Sequence, residues 1–336
     1  MITKEELELT YGKLPELLCV KKMNTLLAKK VNKYKLIDNV HMEVTNFLQS
    51  ENIEFIEKNI SINPLTNIKS INIDNKVLII IIDDYTIYNK AKLGKDISSK
   101  IHKQYQDEGF RVIWCKKFEW ENLNKQTVLK SLILHALGKT KKRVFARKTI
   151  ASVINNKSLK DFFDKSSFYG HRNADTAVCL KDKETGEVLE AMSFGHPYYG
   201  KNKYGENCVE CIRSASKPFT MVVGGMSKLI DFYLKTFGDT FDTIVYYIDD
   251  AHYQNKAMDF LGFQFSHFTE NGVHNVFCET GSQFMRTPKL HKEIKFLQSK
   301  NEIFAIPDVG NTVFIYKNNT KAGEPIVEEV NIANEL

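Results

Sequence analysis

The run Lys139-Thr140-Lys141-Lys142-Arg143-Val144-Phe145-Ala146-Arg147-Lys148 places six cations within ten residues. A cluster this dense attracts polyanions, and DNA or RNA is the natural partner; a solvated helix end and linker has the same composition. Further along, Val222-Val223-Gly224-Gly225-Met226-Ser227-Lys228-Leu229 is a glycine-containing loop that opens a helix. Cys208 and Cys211 have CxxC spacing, and His196, His252 or His274 are available to join them on zinc. A single CxxC is a weak zinc signal, and on a strand the two thiols face opposite sides. Tyr198, Tyr199 and Tyr204, interleaved with Lys201 and Lys203, are suited to stacking on bases or to covering a core. His171 sits in a polar loop and fits either a substrate contact or plain exposure.

The elements that must position these groups are legible in outline. The chain has 336 residues, of which 43% are hydrophobic and 26% charged, enough for about two domains. Its longest apolar run, Val77–Ile82, is far below the roughly 20 residues of a membrane span, and the first residues carry no signal-peptide core, so an intracellular protein is expected. Six cysteines with one CxxC predict reduced thiols. The net charge of +6 is uneven: residues 1–150 hold 27 basic and 17 acidic side chains, and 151–336 hold 20 and 24.

In the first half, residues 1–35 read as helical. A helix follows over about 38–50, capped by Asp38 or Asn39 and carrying Val40, Val44, Phe47 and Leu48 on one face. Strands at 68–73 and 77–82 flank the turn Asp74-Asn75-Lys76, and the second, apolar on both faces, should be central. A helix at 92–108, a strand at 110–114 and a helix at 124–137 complete an α/β module. In the second half the pattern predicts a helix at 149–163, strands at 174–180 and 188–194, the strand-like segment 208–215, a helix at 229–237, a strand at 243–248 and a helix at 255–263.

A strand containing an arginine, a Gly-Gly turn at a helix N-terminus, another strand, then a segment ending Leu261-Gly262-Phe263 resembles the GNAT acyltransferase fold. The resemblance implies an acyl-CoA, or another acyl donor, whose pyrophosphate meets the backbone N–H groups of Val223, Gly224, Gly225, Met226 and Ser227. Within that superfamily the chain is similar to phage Mom-like DNA-modification proteins, which match at Arg213, Ser227, Tyr247 and Asp249. By that likeness Arg213 holds a phosphate or carboxylate, Ser227 donates to a phosphate or carbonyl, and Tyr247 exchanges a proton near the transferred group. The same residues also fit a structural role, with Arg213 paired to Asp249 and Ser227 capping the helix.

The first half, with Glu43 on a helix, a hairpin, and Gly109-Phe110-Arg111-Val112-Ile113-Trp114 leading to Phe118-Glu119-Trp120, is similar to Vsr-like endonuclease domains of phage homing proteins. A nuclease of that type needs hairpin carboxylates for a divalent metal and a nearby His or Asp to activate water. Here Ser70 and Ile81 stand at the acidic positions and Tyr88 at the usual histidine; only a register shift offers Asp74 with Asp83 or Asp84, and magnesium is expected only in that case. The nuclease centre therefore reads as lost.

The combined expectation is an α/β (α+β) protein: a helical segment at 1–35, a Vsr-like restriction-endonuclease-type domain at 36–140, a basic linker at 141–148, a GNAT-like mixed-sheet domain at 149–320 and an acidic tail at 321–336. DNA is the expected partner, held by Lys141, Lys142, Arg143, Arg147 and Lys148, in the cytoplasm of a phage-infected bacterial cell. A working metal-dependent homing endonuclease and a non-enzymatic DNA-binding regulatory protein are the alternatives.

Overall fold

Asn39 opens the first helix of the computed structural model, which describes residues 39–63, 66–83, 96–197, 203–205, 207–277, 283–284 and 303–318. The segments 1–35 and 321–336, together with Asp84, Tyr88, Tyr198, Tyr199 and Lys201, lie outside the described residues. Helix α1 (Val40–Ser50) is capped by the Asn39 side chain, which accepts from Met42 N, and it buries Val40, Val44, Phe47 and Leu48 as its apolar spacing requires. Strands β1 (Ile56–Asn63), β2 (Thr66–Ile73) and β3 (Val77–Ile82) form an antiparallel meander, and β4 (Arg111–Lys116) lies parallel to β3, giving the order β1-β2-β3-β4. Asp74 and Asn75 take positive φ in the β2–β3 turn, the geometry a tight hairpin needs.

Strand β3 is buried along its whole length, as a strand apolar on both faces must be. Val77, Ile79 and Ile81 pack under α1 and helix α4 (Leu123–Ala136). Leu78, Ile80 and Ile82 face helix α2 (Ile97–Asp107) and, unexpectedly, a hairpin from the second half of the chain. That hairpin is β13 (Val273–Phe277) against β15 (Ile303–Pro307), which contribute Val276, Phe304 and Ile306 to the same core. The short helix α3 (Lys117–Trp120) joins β4 to α4.

The second sheet has seven strands in the order β12-β16-β11-β9-β8-β7-β6. In chain order these are β6 (Thr149–Val153), β7 (Thr176–Asp182), β8 (Val188–Gly195), β9 (Cys208–Ser216), β11 (Thr243–Asp249), β12 (Gln264–Phe268) and β16 (Asn311–Lys317). Helix α5 (Asn156–Ser166) covers one face over Ala177, Cys179 and Ala191. Helix α6 (Gly225–Phe237) covers the other over Val178, Met192 and Phe194.

Several expectations need correcting. The helix predicted to start at 149 begins only at Asn156, because Thr149–Val153, rich in β-branched residues, pairs with β7 as the edge strand β6. Residues 255–263 form turns and a single 3₁₀ turn, Asp259–Leu261, although Gly262 does end it in the left-handed conformation. Strand β1 was not expected. Ile60 is buried but Ile56 is exposed, so the strand lacks clear alternation. Within the segment read as a basic linker, Lys142–Phe145 forms β5, which pairs in parallel with β10 (Thr220–Val223).

Asp74 and Asp83 do not converge, and Asp84 lies outside the described residues. Asp74 precedes β3 and Asp83 follows it, so the strand's rise holds them roughly 20 Å apart. A divalent ion with bonds near 2.0–2.6 Å cannot bridge that span. Asp83 instead accepts from Val40 N at 3.1 Å, adding a second acceptor to the start of α1. Cys208 and Cys211 are free and buried, with their side chains in separate cores on opposite faces of the sheet.

Candidate active site

β9 and β11 are parallel neighbours joined through α6, but they hydrogen-bond only from Cys208/Thr243 to Cys211/Tyr246. Beyond that point Arg213–Ser216 pair only with β8, and Tyr247–Asp249 only with β16, so the two strands part at their carboxyl ends. Open sheets bind ligands at such ends. Arg213 and Ala215 share the face covered by α5, as do Val245, Tyr247 and, by strand alternation, Asp249.

In that parting, Arg213 Nε donates to Gly170 O at 3.0 Å and Nη1 to Ile212 O at 2.7 Å. Its guanidinium lies 5.7 Å from the Tyr169 ring centre, a cation–π distance. The Tyr169 hydroxyl donates to Asp249 Oδ2 at 2.6 Å; burial and the Asp249 charge raise the phenol well above its ordinary range. Asp249 Oδ1 accepts from Ala251 N at 2.9 Å. His252 Nδ1 stands 2.6 Å from Asp249 Oδ2, and its Nε2 stands 3.4 Å from Glu119 Oε2. Burial alone would lower the imidazole, but Asp249 and Glu119 outweigh it and push His252 up to about 9. For Glu119, burial works against ionisation, yet Lys116 and His252 hold it down to about 2.

Arg213 and Asp249 thus come together, though not as a direct pair; Tyr169 stands between them. The sequence offers His252 only as a zinc ligand and gives no reason to place Tyr169 in the site. Tyr169 lies just beyond α5, 80 residues from Asp249, and no local spacing joins them. Tyr247 turns to Tyr204, with hydroxyls 2.7 Å apart. Ser227 is exposed on the first turn of α6, on the other face of the sheet, and the structure does not bring it to Arg213.

At the start of α6, Gly224 is the N-cap at φ +73°, and no side chain caps the helix. Its first N–H groups are therefore open to an acceptor, which suits a pyrophosphate. Gly225 has no room for a Cβ, since that atom would lie 2.0 Å from Glu190 Oε2. Burial pushes the Glu190 carboxyl up to about 8, so near neutral pH it is largely uncharged and does not repel a phosphate above it. Gly225→Ala is expected to cost about 1–3 kcal/mol of stability by overpacking. Urea unfolding checks this, and Glu190→Ala in the same chain should recover only part of the loss, because the added Cβ also lies 2.9 Å from Val222 Cβ.

The basic run lies beside this loop. β5 pairs with β10 up to Phe145/Val223, which brings Ala146 to 3.7 Å from where a Gly224 Cβ would be. Lys141 pairs with Glu51 at 2.7 Å and Lys142 with Asp182 at 3.9 Å, whereas Arg143, Arg147 and Lys148 are exposed. Lys228 turns inward and donates to the Ala146 and Thr149 carbonyls.

No protein-family model matches the chain, and no curated protein matches it. Solved structures similar to part of it include the following two. One, named as a phosphinothricin N-acetyltransferase, is 12% identical over 50% of this chain and 98% of its own, with a TM-score of 0.30. The other, yncA, an acetyltransferase from Salmonella typhimurium with its cofactor acetyl-CoA, is 12% identical over 54% and 99%, with a TM-score of 0.32. Likeness this slight carries no functional assignment. No helix among the described residues is long and apolar enough to cross a membrane.

Proposed function

We propose that residues 149–318 form a GNAT-like acyltransferase module of Mom-like type, which takes an acyl-CoA donor and modifies a base in DNA held by the basic face. The observation that carries the reading is the parting of β9 from β11, with Arg213, Tyr169 and Asp249 in the gap; the uncapped Gly-Gly start of α6 follows β9 and β10 in the chain, on the other face of the sheet. Acyl-CoA, when bound, supplies an activated carbonyl. The α6 N–H groups hold its phosphates, Arg213 orients an anionic or carbonyl oxygen, and Tyr169, with its own proton on Asp249, offers its hydroxyl oxygen as an acceptor to the attacking group, the Asp249 carboxylate standing behind it to take up a proton. The four-stranded sheet with its single parallel pair supports the reading of the first module as a nuclease-type frame, used here to hold DNA.

The direct test incubates the full chain with duplex DNA and acetyl-CoA, then measures base masses after digestion, with Arg213→Ala as control. Bases left unmodified under every donor tried would sink the transferase reading. The DNA contact has its own check. Arg143, Arg147 and Lys148, exposed and beside the loop, should carry more of the affinity than Lys141 and Lys142, which have acidic partners. Changing those three to alanine should flatten the salt dependence of duplex binding by about 2–3 in log–log slope, with a smaller effect from the Lys141/Lys142 pair. Fluorescence anisotropy across a salt series reads both. One observation favours a second, non-enzymatic DNA-binding reading: two of the Arg213 donors already serve backbone carbonyls.

A further inference from the structure

We propose that Glu119 and His252 are positioning residues for the Tyr169–Asp249 pair, so that the N-terminal module completes the transfer site as well as holding DNA for it. The inference rests on the acyl-transfer reading for its kinetic consequence and on geometry for its connection.

The connection is continuous across the two modules. Glu119, on α3, is fixed from its own side: Lys116 N donates to its Oε2 at 3.1 Å, and Lys116 Nζ lies 3.6 Å from its Oε1. Lys116 is fully buried and reaches back into the second half of the chain, 3.4 Å from Asp308 Oδ1 and 3.2 Å from His274 Nε2. Glu119 meets His252 at 3.4 Å, His252 meets Asp249 at 2.6 Å, and Asp249 receives the Tyr169 hydroxyl at 2.6 Å. The Phe168 ring lies 4.1 Å from the imidazole, which limits its rotation, and Trp114 N donates to Ala251 O at 2.9 Å beside it. The charged or titratable groups acting on His252 and its partners include Asp249, Glu119, Lys116, Lys125, Asp308, His274, Asp250, Cys115, Tyr169, Tyr253 and His102.

Stability gives little reason to bury so many charges. Apolar side chains of similar volume would hold such an interface at least as well, since burying ions costs several kcal/mol each before pairing returns it. What the ions add is direction. An imidazolium bonded to Asp249 through Nδ1 and drawn by the Glu119 carboxylate 3.4 Å from its Nε2 sets the orientation of Asp249, and Asp249 fixes the Tyr169 hydroxyl, whose ring lies against Arg213. A ring left to swing by about 1 Å loses catalytic alignment.

The test uses the full chain with isotope-labelled histidine, comparing wild type with Glu119→Gln, with acetyl-CoA and duplex DNA as substrates. Expected in E119Q are a fall of at least about one pH unit in the His252 titration midpoint, a fall in kcat of about 10- to 100-fold, and a KM for acetyl-CoA within about twofold of wild type. Glu119→Asp should restore part of both effects. Should E119Q not fold, E119Q with Lys116→Gln, which removes both charges and keeps a polar group for Asp308 and His274, is measured in its place. A folded variant with unchanged His252 titration overturns the proposal. So does unchanged kcat where the wild type is active and Asp249→Asn is dead. If the wild type transfers no acyl group from any donor, the acyl-transfer reading fails by itself, and the His252 titration still decides whether Glu119 holds the pair.

Discussion

Arg213→Ala is expected to lower base modification by at least about 100-fold, the usual cost of removing one preorganised donor from a transfer site. Arg213 sits where β9 leaves β11, with its guanidinium against the Tyr169 ring and two of its N–H groups on backbone carbonyls. Those carbonyl bonds fix the plane of the fork, so the remaining N–H groups can aim at a substrate oxygen with little loss of side-chain entropy. Arg213→Lys keeps the charge but loses the fork, and should recover less than about a tenth of the activity. Burial lowers the Arg213 guanidinium from its ordinary value, although the side chain is only half-buried. Steady-state kinetics with mass detection of modified bases reads both variants, and circular dichroism shows whether the fold survives. Near-wild-type transfer by folded Arg213→Ala would assign Arg213 a purely structural place, holding Gly170 to β9.

Periodicity carried most of the secondary structure. Val40, Val44, Phe47 and Leu48 announce α1, the all-apolar Val77–Ile82 announces a central strand, and Gly109, Gly138 and Gly262 mark stops at positive φ. Where the local signal is thin, tertiary pairing decides. Thr149–Val153 has helix-compatible neighbours but becomes an edge strand because β7 offers it a ladder. Lys142–Phe145 looks like a charged linker and is a strand because β10 lies beside it. The site was legible in half. Arg213 and Asp249 stand on strands that a motif can find, whereas Tyr169, His252 and Glu119 meet them only through the packing of α5, the turn after β11 and α3. No sequence spacing connects residue 119 with residue 252, because the bond between them is made by two modules closing on one another. For the same reason the boundary near residue 145, clear in the charge pattern, is not a boundary in the core: Val276, Phe304 and Ile306 pack beneath β3.

The largest loss of stability is expected from Asp249→Asn. Asp249 Oδ2 takes the imidazolium and the tyrosine hydroxyl and Oδ1 takes Ala251 N, so an amide with one oxygen must turn its NH2 on at least one of these donors while losing the charge that pairs His252, and breaking a buried pair in this way costs about 3–5 kcal/mol. The pH dependence gives the change a signature that a simple packing defect lacks. His252 is raised from 6.5 to about 9 in the folded chain, so its contribution is complete below pH 6.5 and is lost as pH rises through about 9, a swing of about 3 kcal/mol. Asp249 is lowered from its ordinary 3.8, burial opposing and His252 prevailing, so its contribution is present above that value and fades as pH falls below it. The gap between wild type and Asp249→Asn should therefore be widest near pH 5–6 and narrow toward pH 9.5, where Glu119 alone still favours the charged imidazole. Urea unfolding at several pH values measures this, and a gap constant with pH would remove the His252–Asp249 ion pair from the account. Tyr169→Phe, which deletes only the hydroxyl, should cost less, about 1–2 kcal/mol. It leaves the His252–Asp249 pair and the ring against Arg213 in place and takes away only the hydroxyl on Asp249, so a folded Tyr169→Phe protein that still transfers at the wild-type rate would take the Tyr169 hydroxyl out of the transfer step.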